Sequence, residues 1–218
     1  MNHSARHLIG TSHRTLFLIC LAVATCRFSA VARAQEPIRI RAQDGVELAA
    51  SVYGTGSKGV VLAHGGRKTK EDWAQQAKIL AEHGFRVLAF DFRGFGESAP
   101  PSYSAYPEGS EYRDVLAAVH YLHGTGATSV AVVGASFGGS AAANASAESK
   151  PGDIDRLILL AHGSSNHPEL MKGRKLFVVT RDDTDGEGTY RLAEMRKDFR
   201  KVLPPKRFVV LEGSAHAQ

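Results

Sequence analysis

Residues 130 to 139 read Val-Ala-Val-Val-Gly-Ala-Ser-Phe-Gly-Gly and run directly into Ser140-Ala141-Ala142-Ala143-Asn144-Ala145. A β-branched apolar run that passes through Gly-x-Ser-x-Gly into small helix formers demands a sharp strand-to-helix turn. At the apex, Ser136 is forced into a strained backbone conformation with its hydroxyl held clear of the chain. The glycines two before and two after it remove side chains that would collide in so tight a bend. With 22 glycines in the chain the bare pentapeptide carries limited information. Its placement between a strand and a helix carries much more.

Short apolar runs recur on both sides of this turn. Ile38 to Arg41 and Val46 to Tyr53 flank Asp44-Gly45, which predicts an antiparallel hairpin. Strands are expected at Val60 to Ala63, Arg86 to Phe90, Val130 to Val133, Leu157 to Leu160, Leu176 to Thr180 and Phe208 to Leu211. Helices are expected at Glu71 to Glu82, Tyr112 to Leu122, Phe137 to Ala147 and Gly188 to Val202, the last stopped by Pro204-Pro205. Apolar strands separated by helices predict an α/β fold: a mostly parallel, doubly wound sheet, with the hairpin as its antiparallel edge.

The first 34 residues are expected to lie outside this domain. They contain Arg6 and Arg14, an apolar stretch from Leu16 to Ala24, and Ala32-Arg33-Ala34 before Gln35, in the order of a secretory signal peptide. The apolar stretch is too short for a bilayer, which requires about 20 residues, so no stable membrane insertion is expected after cleavage. A lipid anchor on Cys26 is disfavoured by its neighbours Thr25 and Arg27. The segment holds four of the 27 basic residues and none of the 22 acids, so residues 35–218 carry 23 basic against 22 acidic side chains. That balance removes the argument for nucleic-acid binding. Cys20 and Cys26 also fall in this segment, leaving neither a disulfide nor a thiolate metal ligand beyond it. The remaining 184 residues suffice for one well-buried domain.

In open parallel sheets ligands bind beyond the carboxyl ends of the strands. His64-Gly65-Gly66, Asp91, Ser136, Asp182-Asp183 and His216 all follow strands in this chain. A serine hydroxyl is a poor nucleophile unless a base accepts its proton and a third group orients that base. His216, on the short loop after the last strand, is the first candidate for the base, and His162 is its competitor. His83, His120 and His123 fall on or beside helices, where packing or solvation accounts for them. For the acid, Asp182, Asp183 and Asp185 cluster after one strand. Asp183 is the first choice and Asp182 the second, because spacing alone does not separate neighbours. Two backbone amides aimed at one point, those of Gly66 and Phe137, are the candidates for stabilising an oxyanion. Arg67, Lys68 and Lys70 follow the glycine turn; a solvated basic loop explains them better than preference for an anionic substrate.

Taken together, Gly134-Ala135-Ser136-Phe137-Gly138, His64-Gly65-Gly66, Asp91-Phe92-Arg93-Gly94-Phe95-Gly96-Glu97-Ser98 and the order Ser, Asp, His resemble the α/β-hydrolase superfamily over nearly all of residues 38 to 218. The resemblance implies a sheet of about eight strands and acyl-enzyme chemistry on Ser136, with no metal or organic cofactor and a small-molecule acyl substrate. Asp91 and Arg93 match a loop read here as structural, its turn permitted by glycines and braced by charge. Only Ala161 to Lys175 stands where relatives often insert a helical lid, so no lid domain is expected. The open site is similar to that of compact dienelactone-hydrolase-like esterases. The chain ends two residues after His216, where the family pattern usually continues with a helix, and Ala217 stands where a glycine often follows the histidine. The expected function is an exported serine hydrolase of carboxylic esters. The alternatives are a non-catalytic binding protein on the same fold, or a peptidase or thioesterase using the same residues.

Overall fold

The computed structural model describes residues 35–99, 101–184, 188 and 190–217. Every described residue belongs to one compact unit. The expected signal segment, with both cysteines, lies outside the described residues.

Eight strands form one sheet: β1 (Glu36–Arg41), β2 (Glu47–Tyr53), β3 (Lys58–Ala63), β4 (Phe85–Phe90), β5 (Ser129–Ala135), β6 (Arg156–Leu160), β7 (Arg174–Thr180) and β8 (Lys206–Leu211). Their spatial order is β1-β2-β4-β3-β5-β6-β7-β8. β1 and β2 form the antiparallel hairpin and β2 pairs antiparallel with β4; every pair from β4 to β8 is parallel. At the hairpin turn Gly45 adopts φ 88°, a conformation glycine enters freely. Parallel neighbours require crossovers, supplied by α1 (Ala74–Glu82), α2 (Tyr112–Gly124), α3 (Phe137–Glu148) and α4 (Arg191–Lys201).

Side-chain alternation along the strands splits the core in two. Val61, Leu88, Phe90, Val130, Val132, Leu157, Leu159, Phe177 and Val179 pack with residues of α2, α3 and α4. Val60, Leu62, Val87, Ala89 and Ala135 face the other way, onto Trp73 and Ala77 at α1. The central strands are therefore apolar on both faces, as continuous Val/Leu/Ala runs require. Burying one such side chain fully contributes about 1.5–3 kcal/mol.

Two expected helices differ at their starts. The segment expected to be helical from Glu71 begins as a 3-10 turn, Lys70–Trp73, and becomes α-helical only at Ala74. The Lys70 amide donates to Asp91 Oδ1 at 2.7 Å and the Thr69 amide to Asp72 Oδ2 at 2.9 Å, so side chains hold the first turn. The helix expected from Gly188 starts instead at Arg191. Gly188 has φ 83°, outside the helical region, and Tyr190 pairs with Thr184 as an isolated bridge. Residues 161–173 hold only a three-residue 3-10 turn, Pro168–Leu170, and no lid domain.

Candidate active site

The strand order reverses around β3: the crossover through α1 leads to β4 on one side, while β5 lies on the other. The crevice beyond the carboxyl ends of such a strand pair is where open α/β sheets bind ligands. Register places Ala63, the last residue of β3, beside Gly134 of β5. The His64-Gly65-Gly66 turn and Ser136 therefore leave the sheet side by side.

Ser136 caps α3 with φ 50° and ψ −115°, a strained conformation for a residue with a side chain. Its amide donates to the Leu160 carbonyl at 2.8 Å, and its carbonyl accepts the Ser140 amide at 3.1 Å. The flanking glycines have steric reasons. A Cβ on Gly134 would overlap the Gly138 carbonyl, and one on Gly138 would overlap the carbonyls of Ala63 and His64. The turn is tight because the helix passes over the end of β3.

His216 Nδ1–H donates to Asp183, with 2.8 Å to Oδ1 and 3.0 Å to Oδ2. The Asp183 side chain is 1% exposed and that of His216 43% exposed, so the carboxylate is sheltered while the imidazole opens to solvent. Several bonds stitch the two loops together. The Arg181 amide donates to the Leu211 carbonyl at 2.8 Å and the Asp182 amide to the Gly213 carbonyl at 2.9 Å. Thr180 Oγ1–H donates to the Ala215 carbonyl at 2.8 Å, and Arg181 forks onto Glu212 at 2.7 and 2.9 Å. Asp182 is exposed; Asp185 lies outside the described residues.

Ser136, His216, Phe137, Gly65, Gly66, Arg67 and Lys68 line one cavity of about 210 Å³. A Cβ on Gly66 would lie 3.8 Å from that of Phe137, so the two residues that carry the candidate oxyanion amides are neighbours. His162 is placed elsewhere. It is fully buried, 3.1 Å from Asp198 of α4 and edge-on to Phe177. Among the described residues no group of three or more His, Cys, Asp or Glu side chains could hold a metal ion. No helix of the described residues is long and apolar enough to cross a membrane.

His64 has a part that its sequence position did not reveal. Its Nδ1–H donates to the Gly65 carbonyl at 2.8 Å, and its Nε2 accepts the Phe92 amide at 3.1 Å, which fixes one neutral tautomer. The ring stands edge-on to Phe92 and Phe95, which in turn pack on Phe137. Burial pushes the His64 imidazole below the ordinary histidine value. Unfolded, the same ring takes up a proton near pH 6.5, so its contribution is full above that pH and is lost as pH falls below it. Thermal melts at about pH 7.5 and about pH 5.5 should show this loss, up to the single-proton limit of about 1.4 kcal/mol per pH unit. His64→Gln, which keeps an acceptor for Phe92, should narrow the gap between the two melts. An unchanged gap would assign the acid sensitivity to other groups.

Asp91 and Arg93 act structurally, as their loop suggested. Asp91 accepts from the Lys70 amide and ammonium at 2.7 and 2.9 Å and from the Glu97 amide at 3.0 Å. Arg93 forks onto Asp114 and onto Asp44 of the hairpin turn.

Comparison with known proteins is consistent with this architecture. Residues 59–180 match a family model described as the alpha/beta hydrolase fold. The chain is 33% identical over 148 residues to a non-heme chloroperoxidase of Streptomyces lividans, covering 68% of this chain and 47% of that protein. It is 30% identical over 195 residues to an AB hydrolase superfamily protein of Bacillus subtilis, covering 81% and 68%. The chain thus spans about half the length of the first of these relatives. Among solved structures, an esterase of Pyrococcus furiosus superposes with a TM-score of 0.70 at 20% identity, covering 84% of each chain. A dienelactone hydrolase of Anabaena variabilis gives 0.67 at 18% identity, covering 84% and 88%. The matched model spans more than half of the sequence, and the chain belongs to the α/β-hydrolase fold family.

Proposed function

We propose that this chain is an exported serine hydrolase that cleaves carboxylic esters of small molecules through an acyl-enzyme on Ser136. The observation that carries the reading is the sheltered Asp183–His216 pair opening onto the same cavity as the elbow serine. A carboxylate on Nδ1–H fixes the tautomer that leaves Nε2 free to accept a proton. Ser136 Oγ attacks the ester carbonyl while His216 Nε2 takes its proton. The Gly66 and Phe137 amides stabilise the tetrahedral oxyanion, each donor contributing roughly 10²- to 10³-fold in rate. His216 returns the proton to the departing alcohol oxygen. It then draws a proton from the water that attacks the acyl-enzyme and passes it to the departing Ser136 Oγ, which releases the acid and restores the free serine and the neutral imidazole. No step requires a metal or organic cofactor. Export rests on the composition of residues 1–34, and residues 35–218 are the hydrolase domain.

A fluorophosphonate probe tests the reading directly, because phosphonylation needs a serine activated by a base. The intact protein should gain one adduct, mapped by peptide mass to Ser136, and Asp183→Asn should label far more slowly. Absence of labelling in a folded protein would favour the non-catalytic binding role.

A further inference from the structure

The three basic residues after the glycine turn have different surroundings, and among the described residues only one lacks a carboxylate partner. Lys70 is buried, with its ammonium 2.7 Å from Glu71, 2.9 Å from Asp91 and 3.1 Å from Glu97. It holds the Asp91 loop. Lys68 lies 3.2 Å from Asp72, its charge locally matched. Arg67 lines the cavity with Ser136, Phe137 and His216, and among the described residues no carboxylate pairs with its guanidinium. No Asp or Glu stands among the described residues that line this cavity, whose lysine and arginine are Lys68 and Arg67.

The backbone adds an independent observation. Arg67 has φ 60°, in the left-handed region that is strained for residues with a side chain. It follows Gly65 and Gly66, and the Lys68 amide closes the turn onto the Gly65 carbonyl at 3.3 Å. A third glycine would relieve the strain; an arginine keeps it and places beside the cavity a charged side chain with no carboxylate partner among the described residues. A planar, permanently charged fork is the side chain best matched to a carboxylate.

We infer that Arg67 is a specificity-determining residue that draws a carboxylate into this cavity. The preferred substrates are then esters carrying a carboxylate a few bonds from the scissile carbonyl, on the acyl or the leaving side. This rests on the serine-hydrolase reading of Ser136. Because the arginine binds a group remote from the reacting bond, its contribution falls on KM more than on kcat. Being exposed to solvent, it is also sensitive to salt.

Two matched ester pairs test the inference on the full chain. p-Nitrophenyl hemisuccinate against p-nitrophenyl butyrate places the charge on the acyl side. 4-Acetoxybenzoate against its methyl ester places it on the leaving side. The readout is the ratio of kcat/KM for the charged ester to that for the neutral one. In Arg67→Gln this ratio should fall about five- to tenfold for at least one pair, through KM, while Arg67→Lys retains part of it. Raising salt from about 20 mM to about 500 mM should lower the ratio in the unmodified protein and leave it nearly constant in Arg67→Gln. The salt arm needs no variant to fold. Ratios for both pairs that ignore the substitution and the salt overturn the role of Arg67 alone. Failure of the unmodified protein to hydrolyse any of the four esters, or undiminished hydrolysis by Ser136→Ala, overturns the serine-hydrolase reading and this inference with it.

Discussion

Ser136→Ala should reduce hydrolysis of a p-nitrophenyl ester by roughly 10⁶-fold in kcat, the scale seen when the nucleophile of a Ser-His-Asp set is removed. The expectation depends on the substitution leaving everything else in place. Alanine shares the Cβ of serine and meets the same backbone restriction at φ 50°, so the strain at the elbow is unchanged. Among the described residues, Ser136 anchors the turn through its amide and carbonyl and not through its hydroxyl. The melting temperature should therefore stay close to that of the parent protein, in contrast to Ser136→Gly, which relaxes the elbow. Stopped assays of the purified variant, with a thermal melt of the same sample, read both quantities. Retained turnover in a folded Ser136→Ala protein would show that the ester is cleaved elsewhere.

The largest expected effect on stability lies behind the site, at Arg93. Its side chain is 1% exposed and binds Asp114 through Nε at 2.9 Å and Nη2 at 2.6 Å, and Asp44 through Nη1 at 2.7 Å. Its backbone amide also donates to Asp114 at 3.0 Å. One guanidinium thus ties the hairpin turn, the loop after β4 and the first turn of α2. Burial pushes the Asp44 carboxyl up, and the neighbouring Arg93 more than reverses this, holding it below the usual carboxylate range. Arg93→Met keeps the volume of the side chain but strands Asp114, which is fully buried. Leaving a buried charge unpaired costs about 3–5 kcal/mol, and each kcal/mol lowers the melting temperature of a domain this size by about 2–4 °C. Arg93→Met combined with Asp114→Leu removes both charges and should recover more than half of the loss. Denaturant melts of the single and double variants measure the difference. A double variant as unstable as the single one would mean that the network stabilises through its geometry and not through charge pairing.

The fold was legible in the sequence because the central strands are apolar on both faces and α2 and α4 each bury one apolar stripe. Such local patterns survive in a one-dimensional string. Helix starts were less legible. The Thr69–Asp72 bond at the 3-10 turn Lys70–Trp73 is local, but the bond that ties the Lys70 amide to Asp91 comes from 21 residues away and carries no local signal. The start of α4 at Arg191 depends on a Thr184–Tyr190 bridge that propensity does not encode. His64 carried no mark of its tautomer, since its acceptor bond comes from Phe92, 28 residues on. Arg181 and Glu212, which clamp the two loops of the site, read as ordinary surface charges because their pairing spans 31 residues.

By itself the sequence determined the elements, the Gly-Ser-Gly elbow and the short set of residues able to serve there. These follow from local sterics and periodicity: glycine where a Cβ has no room, apolar side chains where a strand is covered twice. Tertiary structure decided among equals. Asp182 and Asp183 are neighbours of the same chemistry, yet one meets solvent and the other is sheltered against His216. His162 and His216 both follow strands, yet Asp198 engages the first deep in the core while the second opens onto the cavity of Ser136. Residues scattered along the chain acquire partners only when the sheet register sets strand ends side by side, and no local pattern carries that register.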